Sequence, residues 1–137
     1  MSRRNAREIV LKSLFIMDFT PDTELANALK VAEEEIQGAT ENDVDYAKKI
    51  VEGTMSHLEE IDTELEETSK KWHVKRMSAI DRNLIRLAAY EMFMGEEKVP
   101  SAIAINEAVE LAKLYSTDES ASYINGILGK MVKNHEK

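Results

Sequence analysis

No cysteine occurs anywhere in the sequence. That absence removes disulfide staples and thiolate metal ligands together, and it fits a reducing compartment. No run approaches the roughly 18 apolar residues that a membrane-spanning helix requires. The basic start MSRRNARE leads into a short apolar stretch cut by Lys12 and Ser13, unlike a secretory leader. A soluble, cytoplasmic protein with no membrane contact is expected. Histidine is also scarce: His57, His73 and His135 show neither His-x-x-x-His nor Glu-x-x-His spacing, so zinc or a di-iron pair has no ligand set. A Gly-rich phosphate loop is missing, as is a strand to precede one or a serine nucleophile in a recognisable setting. The expectation is a protein that is not an enzyme and needs no metal or cofactor.

Proline appears twice and glycine five times, widely separated. Between these breaks, apolar residues recur at three- and four-residue steps in helix-forming composition, so the chain reads as all-α. With 137 residues and 43% apolar composition, a single domain over 1–137 is expected. The first helix should start near Ser2 as N-cap and bury Val10, Leu14 and Met17, with Leu11 and Phe15 beside them. A second helix is predicted over 23–37, stopped by Gly38, with an acidic outer face. A long third helix should run from Asp43 toward Lys70 on the stripe Val44, Ala47, Val51, Met55, Leu58, Ile61 and Leu65. Within it Gly53 costs about 1 kcal/mol relative to alanine. Ser78-Ala79-Ile80-Asp81 has capping-box spacing and opens a helix over 79–95, apolar on nearly every side and therefore central. Val99-Pro100 forces an extended step before a helix over 102–115, with Ile105, Ala108, Val109 and Ala112 inward. Thr117 caps a last helix over 118–133, packed through Tyr123, Ile124, Ile127, Leu128 and Met131. Asn125-Gly126 is a hairpin signal in other settings, but no strand-like alternation flanks it. Gly126 and Gly129 share a face on which a neighbouring helix could approach closely.

The formal net charge of −8 argues, by itself, against a polyanionic partner. Its distribution changes that argument. Residues 22–67 carry fifteen acidic and three basic side chains, whereas 1–19 and 70–98 are locally basic. Screening beyond roughly 8 Å at physiological salt lets a basic face coexist with global acidity. Arg3, Arg4 and Arg7 stand at a helix start, where the macrodipole is positive and a carboxylate would be the stabilising choice. Two readings remain open: guanidiniums and first-turn N–H groups forming an anion site suited to phosphates, or a frayed terminus that confers solubility. Phe15, Trp72 and Tyr123 are flat side chains that could stack bases, with core packing as the other reading. Lys70, Lys71, Lys75 and Arg76 around Trp72 form a second basic cluster, for which a solvated loop is the alternative. The acidic clusters at 33–35 and 59–67 read as solvated faces.

RRNARE at 3–8 running into IVLKSLF, WHVKR at 72–76, AIDRNLIRLAAYEM at 79–92, VPSAIAINEAVELAK at 99–113 and SYINGILGK at 122–130 resemble, in order and spacing, the signature segments of the NusB family. The resemblance covers essentially the whole chain, and INEAVELAK with YINGIL is its most specific part. It implies about seven helices in two three-helix bundles packed roughly crosswise. It also implies transcription antitermination, with binding of boxA RNA of nascent transcripts, notably of ribosomal-RNA operons. The implied partners are NusE, the small-subunit ribosomal protein S ten, and the antitermination complex of RNA polymerase.

Carried over residue by residue, the resemblance puts the RNA surface on Arg3, Arg4, Arg7, Phe15 and Tyr123. Glu119 falls at an acidic position that tempers RNA affinity, and Asp81 and Arg82 face the protein partner. Asn5 departs from the pattern, where some relatives have a further arginine, which implies weaker RNA binding alone and more dependence on NusE. Asn106, Glu107 and Asn125 are read as polar residues that satisfy backbone groups or fix helix ends. The rival functions are a structural or regulatory homodimer, and an accessory RNA-binding module of the kind fused to ribosomal-RNA methyltransferases. A chain of this length is expected to be the free-standing factor.

Overall fold

The structure is a computed structural model and describes residues 3–69 and 77–136. Ser2, Lys70, Lys71, Trp72, His73, Lys75 and Arg76 therefore lie outside the described residues. Among the described residues seven α-helices follow one another: α1 (Arg4–Phe19), α2 (Leu25–Glu35), α3 (Glu41–Ser56), α4 (Leu58–Thr68), α5 (Ala79–Ala89), α6 (Ser101–Tyr115) and α7 (Asp118–His135). A π-helical turn, Tyr90–Met94, continues α5. No strand occurs among the described residues.

Two apolar clusters organise these helices into two three-helix bundles. Ile9, Val10 and Leu14 of α1 meet Ala28, Leu29 and Ala32 of α2 and Ala47 and Val51 of α3. Leu84, Ile85 and Ala88 of α5 meet Ala108, Leu111 and Ala112 of α6 and Ile124, Leu128 and Met131 of α7, with Ile61 and Leu65 bringing α4 alongside. Two residues cross the divide. Leu11 of α1 is buried in the second cluster, and Leu87 of α5 in the first. The pairings of Asp18 with Arg82 and of Arg7 with Glu91 make α1 and α5 an antiparallel seam.

Several expected boundaries move. The first helix begins at Arg4 with Arg3 at the N-cap position and no side-chain cap, not at a Ser2 cap. The long helix expected from Asp43 to Lys70 is broken at His57, whose backbone leaves helical geometry (φ −114°, ψ 16°). Its Nδ1 lies 2.9 Å from the Gly53 carbonyl oxygen. The break has a packing cause: α3 buries Ala47, Ile50 and Val51 in the first cluster, whereas α4 buries Ile61 and Leu65 in the second. One straight stripe could not face both. Thr40 and Asp43 form a reciprocal capping box at the start of α3, three residues before the expected start at Asp43.

Farther along, the expected helix over 79–95 widens at Tyr90, where the Gly95 N–H reaches the Tyr90 carbonyl at 3.0 Å. The fully buried face of α6 is Ala104, Ala108, Leu111 and Ala112, with Ile105 and Val109 at its edge. Thr117 caps α7 through the Ser120 N–H, as expected. Nothing approaches Gly126 or Gly129 within 4 Å, so the close helix approach expected there does not occur within the described residues. The glycine that does admit a neighbour is Gly53: a Cβ there would lie 2.1 Å from the Tyr90 ring.

Candidate nucleic-acid interface

The start of α1 has no carboxylate in its first turn, yet its arginines are not left facing one another. Carboxylates from elsewhere in the fold reach them. Arg7 is only 5% exposed. Its Nε donates to both oxygens of Glu91, at 3.0 and 3.1 Å, and the Tyr46 hydroxyl donates to Glu91 from α3. Burial opposes the Arg7 charge, but Glu91 more than offsets it and raises the guanidinium's hold on its proton. Burial, and then the Glu91 charge, push the Tyr46 phenol well above its ordinary value, so it remains a donor. Arg4 forms a fork with Glu107 of α6, Nε to Oε1 at 3.0 Å and Nη2 to Oε2 at 2.9 Å. The Arg4 hydrogen bonds hold the Glu107 carboxyl below its usual range, although partial burial works the other way. Arg3, exposed, lays its guanidinium over the Tyr46 ring, 3.8 Å from the centroid.

These contacts correct the premise drawn from the macrodipole. The arginines are tolerated at a positive helix end because Glu91 and Glu107 sit opposite them. Asn5, the departure from the family pattern, has a place as well: its amide donates to the Gly38 carbonyl at 3.4 Å, and Gly38 takes the left-handed conformation (φ 80°).

Beyond the arginines, Arg4, Glu8, Lys12, Phe15 and Phe19 recur at helical steps and share one stripe of α1. Phe15 is half-buried and stacks on Phe19, with ring centroids 6.0 Å apart. Phe19 is 77% exposed, a residue that periodicity alone does not distinguish from the core positions around it. Lys12 lies over the Tyr115 ring at 5.2 Å and pairs with Glu35 at 3.3 Å. Beside the arginines a shallow hollow of about 680 Å³ opens, lined among others by Arg3, Ile103, Asn106 and Glu107. Asn106 and Asn125, expected as structural polar residues, are both exposed. Glu107 is structural in part, through Arg4.

The remaining expected residues gather at the other end of α1. Asp18 Oδ2 accepts from Arg82 at 2.6 and 2.9 Å, from Asn83 at 3.1 Å and from Arg86 at 3.3 Å. Arg86 also forms a fork with Asp62 of α4, at 2.8 and 2.7 Å. Asp81 is mostly enclosed: one oxygen accepts from Ser120 at 2.7 Å, and the other has no partner among the described residues. The reciprocal half of the expected capping box is absent, since Ser78 accepts from the Asp81 N–H while the Asp81 carboxylate turns to Ser120. Tyr123 is half-buried, its hydroxyl 2.9 Å from Ser69 Oγ, and Glu119 is exposed one turn before it. Arg3, Arg4 and Arg7 thus occupy one corner, while Asp81, Arg82 and Tyr123 occupy a second. The stretch of α1 from Arg4 to Asp18, about 21 Å long, joins them.

Among the described residues no group of histidines and carboxylates is arranged to hold a metal ion. No described helix is long and apolar enough to cross a membrane. Residues 4–133 match the profile of the NusB family. The chain belongs to the NusB family. A similar relative is the transcription antitermination protein NusB of Desulforamulus reducens, 42% identical over 137 residues, spanning 100% of this chain and 94% of that protein. Among solved structures, NusB of T. maritima is 32% identical with a TM-score of 0.86, covering 97% of this chain and 92% of that one. A chain from the crystal structure of antitermination factors NusB and NusE in complex with dsRNA is 26% identical, again with a TM-score of 0.86 and 96% coverage of both chains. This NusB-family chain therefore shares its fold, end to end, with a protein seen in an RNA-containing assembly.

Proposed function

We propose that this chain is a transcription antitermination factor that binds boxA-type RNA of nascent transcripts together with NusE and acts with RNA polymerase. The observation that carries this reading is the near-complete match in fold to a chain from the NusB–NusE–RNA complex. On this reading the protein works by binding rather than by catalysis, as a single domain in the cytoplasm.

The RNA surface is proposed at the first corner and along α1. Arg3 and Arg4 are accessible to phosphates there, and Phe15, beside exposed Phe19, offers a face for a base. Arg7, shut in by Glu91, holds the corner together and lends charge at second hand. Tyr123 and Glu119 extend the surface onto α7, with Glu119 opposing the strand by its charge. The NusE-facing surface is proposed at the start of α5, where the Arg82 side chain, mostly covered, keeps a small accessible part and Asp81 sets the geometry through Ser120.

The test is binding of a short boxA RNA, with and without NusE, across a salt series. Arg3→Gln with Arg4→Gln is expected to weaken binding and to flatten the salt slope by up to about two, one for each phosphate that is no longer neutralised. Unchanged affinity and slope would remove these residues from the surface.

A further inference from the structure

Arg4 is held by Glu107 in a planar two-bond fork, the same geometry by which arginine engages phosphate. A phosphate engages this Nε/Nη2 edge only by taking the place of the carboxylate. We propose that Glu107 is an internal stand-in for phosphate, which occupies Arg4 in the free protein and is displaced when RNA arrives, so that it limits how tightly RNA binds. The proposal rests on the RNA-binding reading of this corner.

The two ion pairs of the corner differ in a way that assigns them different tasks. The side chains of Arg7 and Glu91 are 6% and 1% exposed, so no strand can reach between them. Those of Arg4 and Glu107 are 38% and 14% exposed, which leaves the fork open to exchange. A partly exposed pair of this kind contributes little net stability, because each partner keeps some of its water. Displacement also leaves Glu107 with a partner. Arg7 Nη1 already lies 3.6 Å from Glu107 Oε1, so the carboxylate can lean onto Arg7 when Arg4 swings away. The incoming phosphate finds a receptive lining in the adjoining hollow, where Arg3 and the exposed Asn106 stand beside the fork.

The experiment compares wild-type protein with Glu107→Gln and Glu110→Gln, by fluorescence anisotropy on a short boxA RNA with NusE present. Glu110 is a second acid whose charge acts on Arg4, so its variant reports the general effect of removing one negative charge. Glu107→Gln is expected to bind about two- to fivefold tighter than Glu110→Gln, the factor that a partly exposed ion pair supplies. Its salt slope should steepen by up to about one. In an Arg4→Gln background the gain should vanish, since the two residues act as a pair.

Equal affinities of the two glutamine variants, or a gain that persists without Arg4, would overturn the proposal. Absence of RNA binding by the wild-type protein at low salt would instead defeat the functional reading beneath it. A readout on unaltered protein guards against a misfolded variant. The Arg4 Nε–H NMR signal should shift on saturation with RNA by more than that of Arg7, whose Nε stays on Glu91; an unmoved Arg4 signal would count against displacement.

Discussion

Glu91 shows how much a single buried carboxylate can hold in place. It accepts from Arg7 of α1 and from Tyr46 of α3, while it belongs to the π-helical turn after α5. Three segments of chain thus meet on one side chain that is almost without solvent contact. Replacing it by an amide leaves the buried Arg7 guanidinium with only the longer contact to Glu107, at 3.6 Å, a loss of up to about 3–5 kcal/mol. Glu91→Gln is therefore expected to lower stability by that amount in urea unfolding, whereas Tyr46→Phe should cost about 1–3 kcal/mol, the loss of one hydrogen bond to a charged group. Equal effects of the two variants would show that the ion pair carries no special weight.

At the scale of elements, the seating of the π-helical turn on α3 gives a signed expectation. Gly→Ala in an exposed helix interior ordinarily stabilises by about 1 kcal/mol. At Gly53 the added Cβ would lie 2.1 Å from Tyr90 Cζ and Oη, so the ring or the helix must shift. Gly53→Ala is expected to destabilise by about 1–3 kcal/mol, and the penalty should shrink in a Tyr90→Ala background. A thermal melt of Gly53→Ala at or above the wild-type midpoint would refute this.

The same elements show what is legible in the sequence. Periodicity locates the helices, because each has one apolar face and three-residue steps report that face directly. The break at His57 is hidden for the same reason: α3 and α4 share one continuous stripe in sequence, and only the existence of two cores divides it. Arg3, Arg4 and Arg7 are legible as a charge cluster, but their partners are not, since Glu91 and Glu107 are more than eighty residues away. A signal for Glu91 does exist. An acid embedded in Tyr90-Glu91-Met92-Phe93, directly after the largely buried α5, requires a buried partner.

For the whole molecule, the exchange of Leu11 and Leu87 between clusters bears on cooperativity. Each bundle donates a core residue to the other, so neither can lose its packing alone without exposing a leucine of its neighbour. Leu87→Ala is expected to cost about 2–5 kcal/mol and to lower the stability of both bundles alike. Urea unfolding followed by far-UV circular dichroism, and by methyl NMR signals from each cluster, should give one shared midpoint. Separate midpoints for the two clusters would show that the seam couples them weakly.

The acidity of the molecule is also partitioned. Of the exposed acids of α2, Glu35 reaches Lys12 on α1 at 3.3 Å, and screening confines the influence of charges in water to roughly 8 Å.

The first helix is riveted at both ends, to Glu91 and Glu107 at one and through Asp18 to Arg82, Asn83 and Arg86 at the other. A rod fastened at both ends carries load along its length, so on the proposed reading a protein held at Arg82 and a strand held at Arg4 would pull on the same beam.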